Sequence, residues 1–320
     1  MKELHYSDAS LKPKKCIVDS RTDCDTSVEF GPRTFDMPIY PANMKSVVDK
    51  EACYFFARNK MFYTMHRFDV NLIDFLYSVK AFGYFSSVSV GVNEDSYREL
   101  EQVYQELLSI DYITIDVANA WSDKTKKMME FIKNKFPESF LIVGNVATSE
   151  AVEELQAWGA DAIKVGIAGG SVCITKNKTG VSRAMLSCVR DCVGVAKVPI
   201  IADGGIVEHG DIAKAIACGA TMVMAGSLFA GYDQSAGRTI EIEDWKKGHA
   251  EYTRYKEYFG SASKTNKGES VNVEGKKILI PHRGDMSRLL VELKEDLQSS
   301  ISYVGGKELN DLVFADMYEV

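Results

Sequence analysis

Apolar and polar positions follow two alternating patterns along this chain. Short runs rich in β-branched and aromatic residues are each followed by a stretch whose apolar residues recur at helical spacing. Eight runs predict strands, at Pro38–Met44, Phe62–His66, Phe85–Gly91, Tyr112–Ala118, Phe140–Val146, Ala162–Ile167, Pro199–Gly205 and Thr221–Ser227. The stretches that predict helices are Ser46–Arg58, Leu72–Ala81, Glu94–Leu108, Ser122–Lys135, Ser149–Trp158, Arg183–Val195, Gly210–Cys218 and Asp285–Ser300.

This alternation predicts an α/β fold with a parallel sheet. Several runs, such as Leu141–Gly144 and Ile200–Ala202, are continuously apolar, as expected of strands that helices cover on both faces. Eight such strands predict a (β/α)8 TIM barrel, and we expect residues 1–320 to form a single catalytic domain. A doubly wound sheet is the alternative, but the G-x-G-x-x-G motif typical of it does not follow the first strand.

Two intervals interrupt the alternation, and both follow the carboxyl end of a predicted strand. Ala168–Lys197 begins with a glycine-containing loop, and Ala230–Met286 is polar, rich in tyrosine and poor in strand signal. The carboxyl ends of barrel strands form the catalytic face, where long loops usually carry function. We therefore expect a long flexible flap over residues 230–283, and a C-terminal tail over Ile301–Val320.

Composition narrows the class of protein. Hydrophobic residues make up 46% and charged residues 26% of the 320, which is typical of a soluble globular protein. No apolar run approaches the roughly 18 residues of a membrane span, and the first residues lack the apolar core of a secretory signal. We expect a cytoplasmic protein. The formal net charge of −7 argues against general nucleic-acid binding.

A candidate nucleophile lies in the glycine-containing loop after the sixth predicted strand. Cys173 would lie at the mouth of the barrel, with the hydroxyl of Thr175 close enough to assist proton transfer. The alternative is that Cys173 is an ordinary small loop residue. The other six cysteines are scattered, and we interpret them as structural, reduced thiols.

Glycine turns end the seventh and eighth predicted strands. Backbone amides at Gly204 and Gly226 could bind a phosphate there, with Ser171 reaching the same anion. Asp203 suits a ribose diol, because a carboxylate can accept from both hydroxyls. The alternative is that these glycines only make tight turns.

Three further residues have two interpretations each. Lys164 could form a Schiff base with a carbonyl substrate or could be an ion-paired lysine inside the barrel. His66 could be an acid or base, although packing is the favoured interpretation. Glu274 lies in a polar stretch where most glutamates are simply solvated, and spacing alone would not select it.

Taken together, several motifs resemble those of one enzyme family, the IMP dehydrogenase and GMP reductase superfamily. These motifs are Gly169-Gly170-Ser171-Val172-Cys173-Ile174-Thr175, Asp203-Gly204-Gly205-Ile206, Gly226-Ser227, Tyr258-Phe259-Gly260-Ser261, Pro41-Ala42-Asn43-Met44, Asp116-Val117-Ala118-Asn119 and Gly144-Asn145-Val146. The dehydrogenases normally carry a CBS-domain insertion after the second strand and an Arg-Tyr pair in the flap. Neither is present here, so the chain resembles the reductases in their short bacterial form, with a dehydrogenase lacking the CBS insertion as the alternative.

The resemblance implies a reaction in purine salvage, the NADPH-dependent reductive deamination of GMP to IMP and ammonia. Cys173 would attack purine C2 and form a covalent thioimidate intermediate. Thr175 and Glu274 match the pair that transfers the proton needed to expel ammonia. A nucleotide-binding protein that senses GMP without turnover, and a Schiff-base lyase acting through Lys164, are more distant alternatives.

The resemblance also assigns binding residues. The substrate-binding set is Ser171, Asp203, Gly204, Gly205, Gly226, Ser227, Tyr258, Gly260 and Met44. The cofactor-binding set is Asp116, Asn119, Lys176 and Lys178. The carbonyls of Ala168, Gly170 and Cys173 would bind a potassium ion, although Ala168 and Gly169 stand where the family usually has glycine and proline. Relatives in the family are homotetramers, and we expect the same here.

Overall fold

A curled, parallel β-sheet with surrounding helices dominates the computed structural model, which describes residues 3–246, 249–264 and 273–320. The strands are β1 Ala9–Leu11, β2 Val28–Phe30, β3 Arg33–Phe35, β4 Ile39–Pro41, β5 Ser87–Val90, β6 Tyr112–Asp116, β7 Phe140–Val146, β8 Ala162–Val165, β9 Ile200–Asp203, β10 Met222–Ala225, β11 Thr239–Lys246, β12 His249–Phe259, β13 Lys277–Pro281 and β14 Met317–Glu319. The helices are α1 Lys50–Arg58, α2 Leu72–Ala81, α3 Glu94–Gln105, α4 Asp123–Lys135, α5 Ser149–Ala157, α6 Thr175–Thr179, α7 Met185–Val193, α8 His209–Ala217 and α9 Ser287–Tyr303.

Seven parallel strands form the central sheet, in the order β4-β10-β9-β8-β7-β6-β5. The first of them therefore pairs with the last, which requires the sheet to curl back on itself. The predicted second strand, Phe62–His66, is reduced to one parallel bridge between Met65 and Val88. Between this segment and β4, contact is made by side chains, since the rings of Tyr40 and Phe62 pack with centroids 4.8 Å apart.

Aromatic rings fill the amino-terminal end of the curled sheet. The antiparallel hairpin β2–β3 lies across this end and inserts Phe30 and Phe35 into it. Both rings contact Phe62, at centroid distances of 5.2 and 5.3 Å. Tyr112 packs on Phe62 at 5.0 Å and donates its hydroxyl to the carbonyl of Phe30 at 2.7 Å. This closed end leaves the carboxyl ends of the strands for a site.

Side-chain caps fix where several helices begin. Asn71, Asn93, Ser122 and Thr148 each accept a hydrogen bond from a backbone amide in the first turn of the helix that follows. Asp49 does the same for α1, which therefore begins at Lys50 rather than at the predicted Ser46. Residues 44–48 instead form a separate turn, in which the amides of Val47 and Val48 donate to the carbonyl of Met44.

The interval predicted to be poor in strands contains an antiparallel sheet, and this corrects the sequence-based expectation. β11 pairs with β12 from Thr239–Lys256 to Lys246–His249, and β12 pairs with β13. Residues 247–248 and 265–272 of the expected flap lie outside the described residues. The expected tail is also structured, because it contains a 3-10 turn at Leu309–Phe314 and β14, which pairs with β1.

No helix within the described part of the chain combines the length and apolarity needed to cross a bilayer.

Candidate active site

A cavity of about 390 Å³ opens at the carboxyl ends of the parallel strands. Most of the residues selected from the sequence line it, although they come from distant parts of the chain. Those in its wall are Met44, Asp116, Ala168, Gly170, Cys173, Thr175, Asp203, Gly204, Gly226, Tyr258, Gly260 and Glu274. The catalytic and potassium sets and most of the substrate set therefore converge on one cavity, whereas Ser171, Gly205 and Ser227 do not line it.

Cys173, Thr175 and Glu274 form a continuous hydrogen-bonded chain in the cavity wall. The thiol Sγ of Cys173 donates to Thr175 Oγ1 at 3.1 Å, and Thr175 Oγ1 donates to Glu274 Oε2 at 2.6 Å. All three residues are partly buried. The arrangement gives a proton on sulfur a direct route through one hydroxyl to a carboxylate, which is the geometry that an activated nucleophile requires.

Backbone pairing places Glu274 beside a loop 99 residues away in the sequence. The amide of Ile174 donates to the carbonyl of Glu274 at 2.8 Å, and the amide of Lys276 donates to the carbonyl of Val172 at 2.9 Å. Cys173 and Gly275 form an antiparallel bridge between these two bonds. No local pattern in the sequence predicts this pairing, which explains why spacing alone could not select Glu274.

Tyr258 extends from β12 toward the turn after β10. Its side chain is only 3% exposed, and a Cβ on Gly226 would overlap the tyrosine hydroxyl. Burial raises the pKa of Tyr258 to about 12, although a hydrogen bond with Ser171 works in the opposite direction. The hydroxyl therefore stays protonated at neutral pH and can donate to an anion.

The glycine turns differ in their free backbone donors. Within the described residues, the amides of Gly226 and Ser227 donate no hydrogen bond, whereas the amide of Gly205 donates to the carbonyl of Gly169 at 2.9 Å. The anion donors available in this conformation are thus concentrated at Gly226, Ser227 and Tyr258. Gly205, although selected from the sequence, is already satisfied.

A buried ionic network lies at the floor of the cavity. Lys164 is 2% exposed, and its Nζ donates to Asp203 Oδ2 at 2.7 Å, to Asp116 Oδ1 at 3.2 Å and to Asn145 Oδ1. Gly144 makes room for this lysine, because a Cβ there would overlap the Lys164 side chain. Burial opposes the charged form, but Asp203 and Asp116 outweigh it and hold the pKa of Lys164 above its usual value. A protonated, triply hydrogen-bonded amine is not a Schiff-base nucleophile, so the ion-paired interpretation fits.

Two members of this network received no role from the sequence. Asn145 donates through Nδ2 to Asp203 Oδ2 at 2.8 Å and to the carbonyl of Gly166 at 2.7 Å. Arg67 donates through Nε to the carbonyl of Asp116 at 3.2 Å. Both line the cavity. Asn145 lies near the carboxyl end of β7, within the motif Gly144-Asn145-Val146, and that motif was the available signal.

The remaining selected residues lie outside the cavity wall. Ser171 is exposed but reaches Tyr258, and Ser227 follows Gly226 in the same turn. Asn119 is exposed and accepts from the amide of Trp121 at 3.2 Å. Lys176 and Lys178 are exposed on the short helix α6, directly after the cysteine loop.

His66 is a buried packing residue beside the cavity. It is 5% exposed, and its Nδ1 accepts a hydrogen bond from the amide of Phe68 at 3.2 Å. Burial first, and then the positive charge of Lys45, lower its pKa to about 4. The imidazole is therefore neutral at neutral pH.

The loop before Cys173 has an unusual backbone. Ala168 adopts a left-handed conformation with φ of 63°, a region that favours glycine. The carbonyl of Gly170 accepts from the amide of Cys173 at 3.1 Å, while those of Ala168 and Cys173 accept no hydrogen bond from the described residues. The carbonyl oxygens of Ala168 and Cys173 have both lone pairs free, and that of Gly170 has one lone pair free. Carbonyl oxygens of this kind can coordinate a monovalent cation.

Comparisons with known proteins identify the family of this chain. Residues 78–318 match the family model described as IMP dehydrogenase / GMP reductase domain. A protein named GMP reductase from Chromobacterium violaceum is 59% identical over 318 residues, covering 99% of this chain and 98% of the relative. Proteins of the same name from Bacillus licheniformis and Acidovorax sp. are 52% and 50% identical, over 95% and 98% of this chain and 92% and 94% of their own lengths. The chain belongs to the IMP dehydrogenase / GMP reductase family.

Proposed function

We propose that this protein reduces GMP to IMP and ammonia with NADPH. The relatives named GMP reductase support GMP as the substrate. The hydrogen-bonded chain from Cys173 through Thr175 to Glu274 carries the proposal. A nucleophile with a carboxylate two hydrogen bonds away suits a reaction that forms a bond to sulfur and expels an amine. The proposed role is in purine salvage.

Cys173, Thr175 and Glu274 each have one role in the proposed reaction. The Cys173 proton passes through Thr175 to Glu274, and the thiolate forms a bond to purine C2. Glu274 returns the proton through Thr175 to the 2-amino group, which leaves as ammonia and gives a thioimidate on Cys173. Bound NADPH supplies the hydride equivalent that C2 requires. The carbon–sulfur bond then breaks, and Cys173 regains its thiolate.

Substrate binding is proposed around this group. Tyr258, Ser171 and the free amides of Gly226 and Ser227 would hold the 5′-phosphate, because all are donors at one turn. Asp203 uses Oδ2 for Lys164 and Asn145, which leaves Oδ1 for a ribose hydroxyl. Gly204, Gly205, Met44 and Gly260 would contact the nucleotide, with the Gly205 amide first leaving Gly169.

Cofactor and cation sites remain proposals of the same kind. Lys176 and Lys178 are exposed cations next to the cysteine loop and suit the 2′-phosphate of NADPH. Asp116, in the cavity wall, and the exposed Asn119 would contact other parts of the cofactor. The carbonyls of Ala168, Gly170 and Cys173 suit a potassium ion.

We also propose a complete barrel and its assembly from the observed strand pairing and the family resemblance. The pairing of β4 with β10 and the bridge at Met65 support a closed eight-stranded barrel, within a single catalytic domain over 1–320. We infer the role of a flap for the described residues among 230–283, a homotetramer and a cytoplasmic location.

The decisive assay follows absorbance of the reduced nicotinamide in potassium buffer. Purified protein should consume NADPH when GMP is present and should produce no NADH from IMP plus NAD. The reverse result would identify an IMP dehydrogenase without the CBS insertion. Silence in both reactions would contradict the proposal and favour a GMP sensor.

Cys173→Ala tests the covalent mechanism. Loss of the nucleophile should lower kcat by more than about 10³-fold while GMP still binds, since the phosphate donors are unchanged. GMP binding by calorimetry and single-turnover NADPH oxidation give the two readouts. Turnover near that of the unmodified protein would exclude a cysteine adduct. Glu274→Gln should slow the deamination step more than the hydride-transfer step that follows it.

A further inference from the structure

Ser46 joins two parts of the molecule that the proposed chemistry treats separately. It lies in the turn after β4, where the amides of Val47 and Val48 donate to the carbonyl of Met44 at 2.8 and 2.9 Å. The side chain is 1% exposed. Its Oγ donates to the carbonyl of Phe259 at 2.8 Å and accepts from the amide of the same residue at 3.1 Å. One hydroxyl thus satisfies both backbone groups of one residue in β12.

The same turn also holds the segment that leads into the antiparallel sheet. The amide of Gly237 donates to the carbonyl of Ser46 at 3.0 Å, and the amide of Ala236 donates to that of Val47 at 3.2 Å. Gly237 packs so closely that a Cβ would overlap the carbonyl of Glu257. The segment entering the sheet and the end of β12 are therefore both fixed to residues 44–48.

Phe259 lies between two residues that line the cavity. Tyr258 precedes it and Gly260 follows it. Met44, two residues before Ser46, lies beside Gly226, as does the hydroxyl of Tyr258. A displacement of Phe259 along or across β12 would move the tyrosine hydroxyl relative to the free amides at Gly226 and Ser227.

We propose that Ser46 is a positioning residue for the substrate's phosphate. By holding both backbone groups of Phe259, it fixes the distance between the Tyr258 hydroxyl and the turn at Gly226. This role rests on the proposed function, because it assumes that an anionic group of the substrate binds between Tyr258 and that turn.

The effect should fall on substrate binding rather than on bond breaking. Glu274 is held by its own backbone bonds, with its carbonyl accepting from Ile174 at 2.8 Å and its amide donating to Ala262 at 3.0 Å. Removing the Ser46 hydroxyl leaves that pairing in place. It frees two buried backbone groups of Phe259, which then seek new partners by shifting β12.

The test compares Ser46→Ala, Ser46→Thr, Tyr258→Phe and the double variant Ser46→Ala/Tyr258→Phe. Ser46→Ala should raise the KM and the Kd for GMP about tenfold, with a smaller change in kcat and in the KM for NADPH. Ser46→Thr keeps the hydroxyl and should restore GMP binding. The double variant should bind GMP no more weakly than the worse single variant, since both substitutions disrupt the same contact, that between the Tyr258 hydroxyl and the phosphate.

Ser139→Ala is the matched control. Ser139 is also buried and donates to a backbone carbonyl, that of Ile110 at 2.6 Å, but at the opposite end of the sheet. It should lower the unfolding temperature without moving the KM for GMP. If Ser46→Ala does not fold, Ser46→Cys replaces it, with a smaller rise in the Kd for GMP.

The outcomes separate the two proposals. If the unmodified protein binds GMP but fails to oxidise NADPH, the proposed reaction is wrong while the positioning role is still measurable by GMP binding. Unchanged GMP binding in Ser46→Ala, additive losses in the double variant, or a failure of Ser46→Thr to restore binding would each overturn the positioning role.

Discussion

The two ends of the parallel strands differ in chemistry, because one is packed with aromatic rings and the other opens as a cavity over a buried lysine. At the amino-terminal end, Phe62 packs against Phe30, Phe35 and Tyr112 at centroid distances of 5.0 to 5.3 Å. At the carboxyl end, Lys164 contacts two carboxylates and an amide. The same sheet thus presents an apolar end that contributes stability and a charged end that presents hydrogen-bonding groups to a ligand.

The difference lies in how each end responds to the loss of one member. A ring packs through many weak contacts, so its neighbours can partly relax around a gap. A buried charge depends on a few strong partners, and removing one leaves the others uncompensated. A substitution at the charged end therefore acts mainly by leaving a charge uncompensated, whereas one at the apolar end acts mainly by leaving a gap.

Lys164→Met gives the largest expected effect. Asp116 and Asp203, whose side chains are 15% and 20% exposed, would lose their shared cation, and we expect a loss of about 3–5 kcal/mol in the free energy of unfolding. Urea denaturation measures it. The double variant Lys164→Met/Asp203→Asn should recover part of the loss. A single variant as stable as the unmodified protein would show that the network contributes no net stability.

Phe62→Ala tests the other end. Removing a fully buried ring should cost about 3–5 kcal/mol in the free energy of unfolding, with the lower figure if the hairpin collapses onto the gap. Because Phe62 lies far from the cavity wall, the folded variant should keep its KM for GMP. A changed KM would mean that the two ends are coupled.

His66 lies near the charged end but is neutral, and this gives a pH effect. Its pKa is about 4 in the folded protein and about 6.5 when unfolded, so the unfolded chain binds more protons between these values. Stability is therefore complete above about pH 6.5 and falls, by roughly 3 kcal/mol, as pH drops toward 4. Unfolding midpoints across this range measure it. His66→Gln should flatten the profile there, and an unchanged slope would exclude His66 as its source.

Ala168→Gly gives the smallest effect and the opposite sign. Glycine relieves the left-handed backbone at this position, and we expect a gain of about 0.5–1 kcal/mol in the free energy of unfolding. Ala213→Gly, in the interior of α8, is the control and should lose about as much. A loss in both variants would contradict the proposed strain.

Much of the fold could be predicted from local pattern. Seven predicted strands contain observed ones, and Leu72–Ala81 was predicted with its observed bounds. Phe62–His66 has strand-like residues, but tertiary packing reduces its pairing to a single bridge. The sheet β11–β13 was missed because the described side chains at 239–243 and in β13 are exposed or half-buried, and because the buried end of β12 includes the charged residues Lys256 and Glu257. Neither pattern has the apolar contrast that marks a buried strand.

In the candidate site, local spacing selected residues that follow strand ends or share a loop, and it could not select residues that only long-range pairing brings together. Cys173 and Thr175 lie in one glycine-rich loop, which the sequence identifies directly. Ser46 was placed in a helix, because its spacing fits α1 and nothing local indicates a partner 213 residues away. Resemblance, rather than spacing, identified Glu274.

The bridge between Cys173 and Gly275 fixes the register of the segment that carries Glu274. Neighbouring side chains of an extended segment point to opposite sides, so a slip of one residue in this pairing would turn Glu274 away from Thr175. Deleting a single residue between Gly260 and Glu274 would then abolish proton transfer from Thr175 to Glu274, although every reactive side chain is still present. Related sequences can therefore lose activity through the number of residues between Gly260 and Gly275 as well as through replacement of the acid.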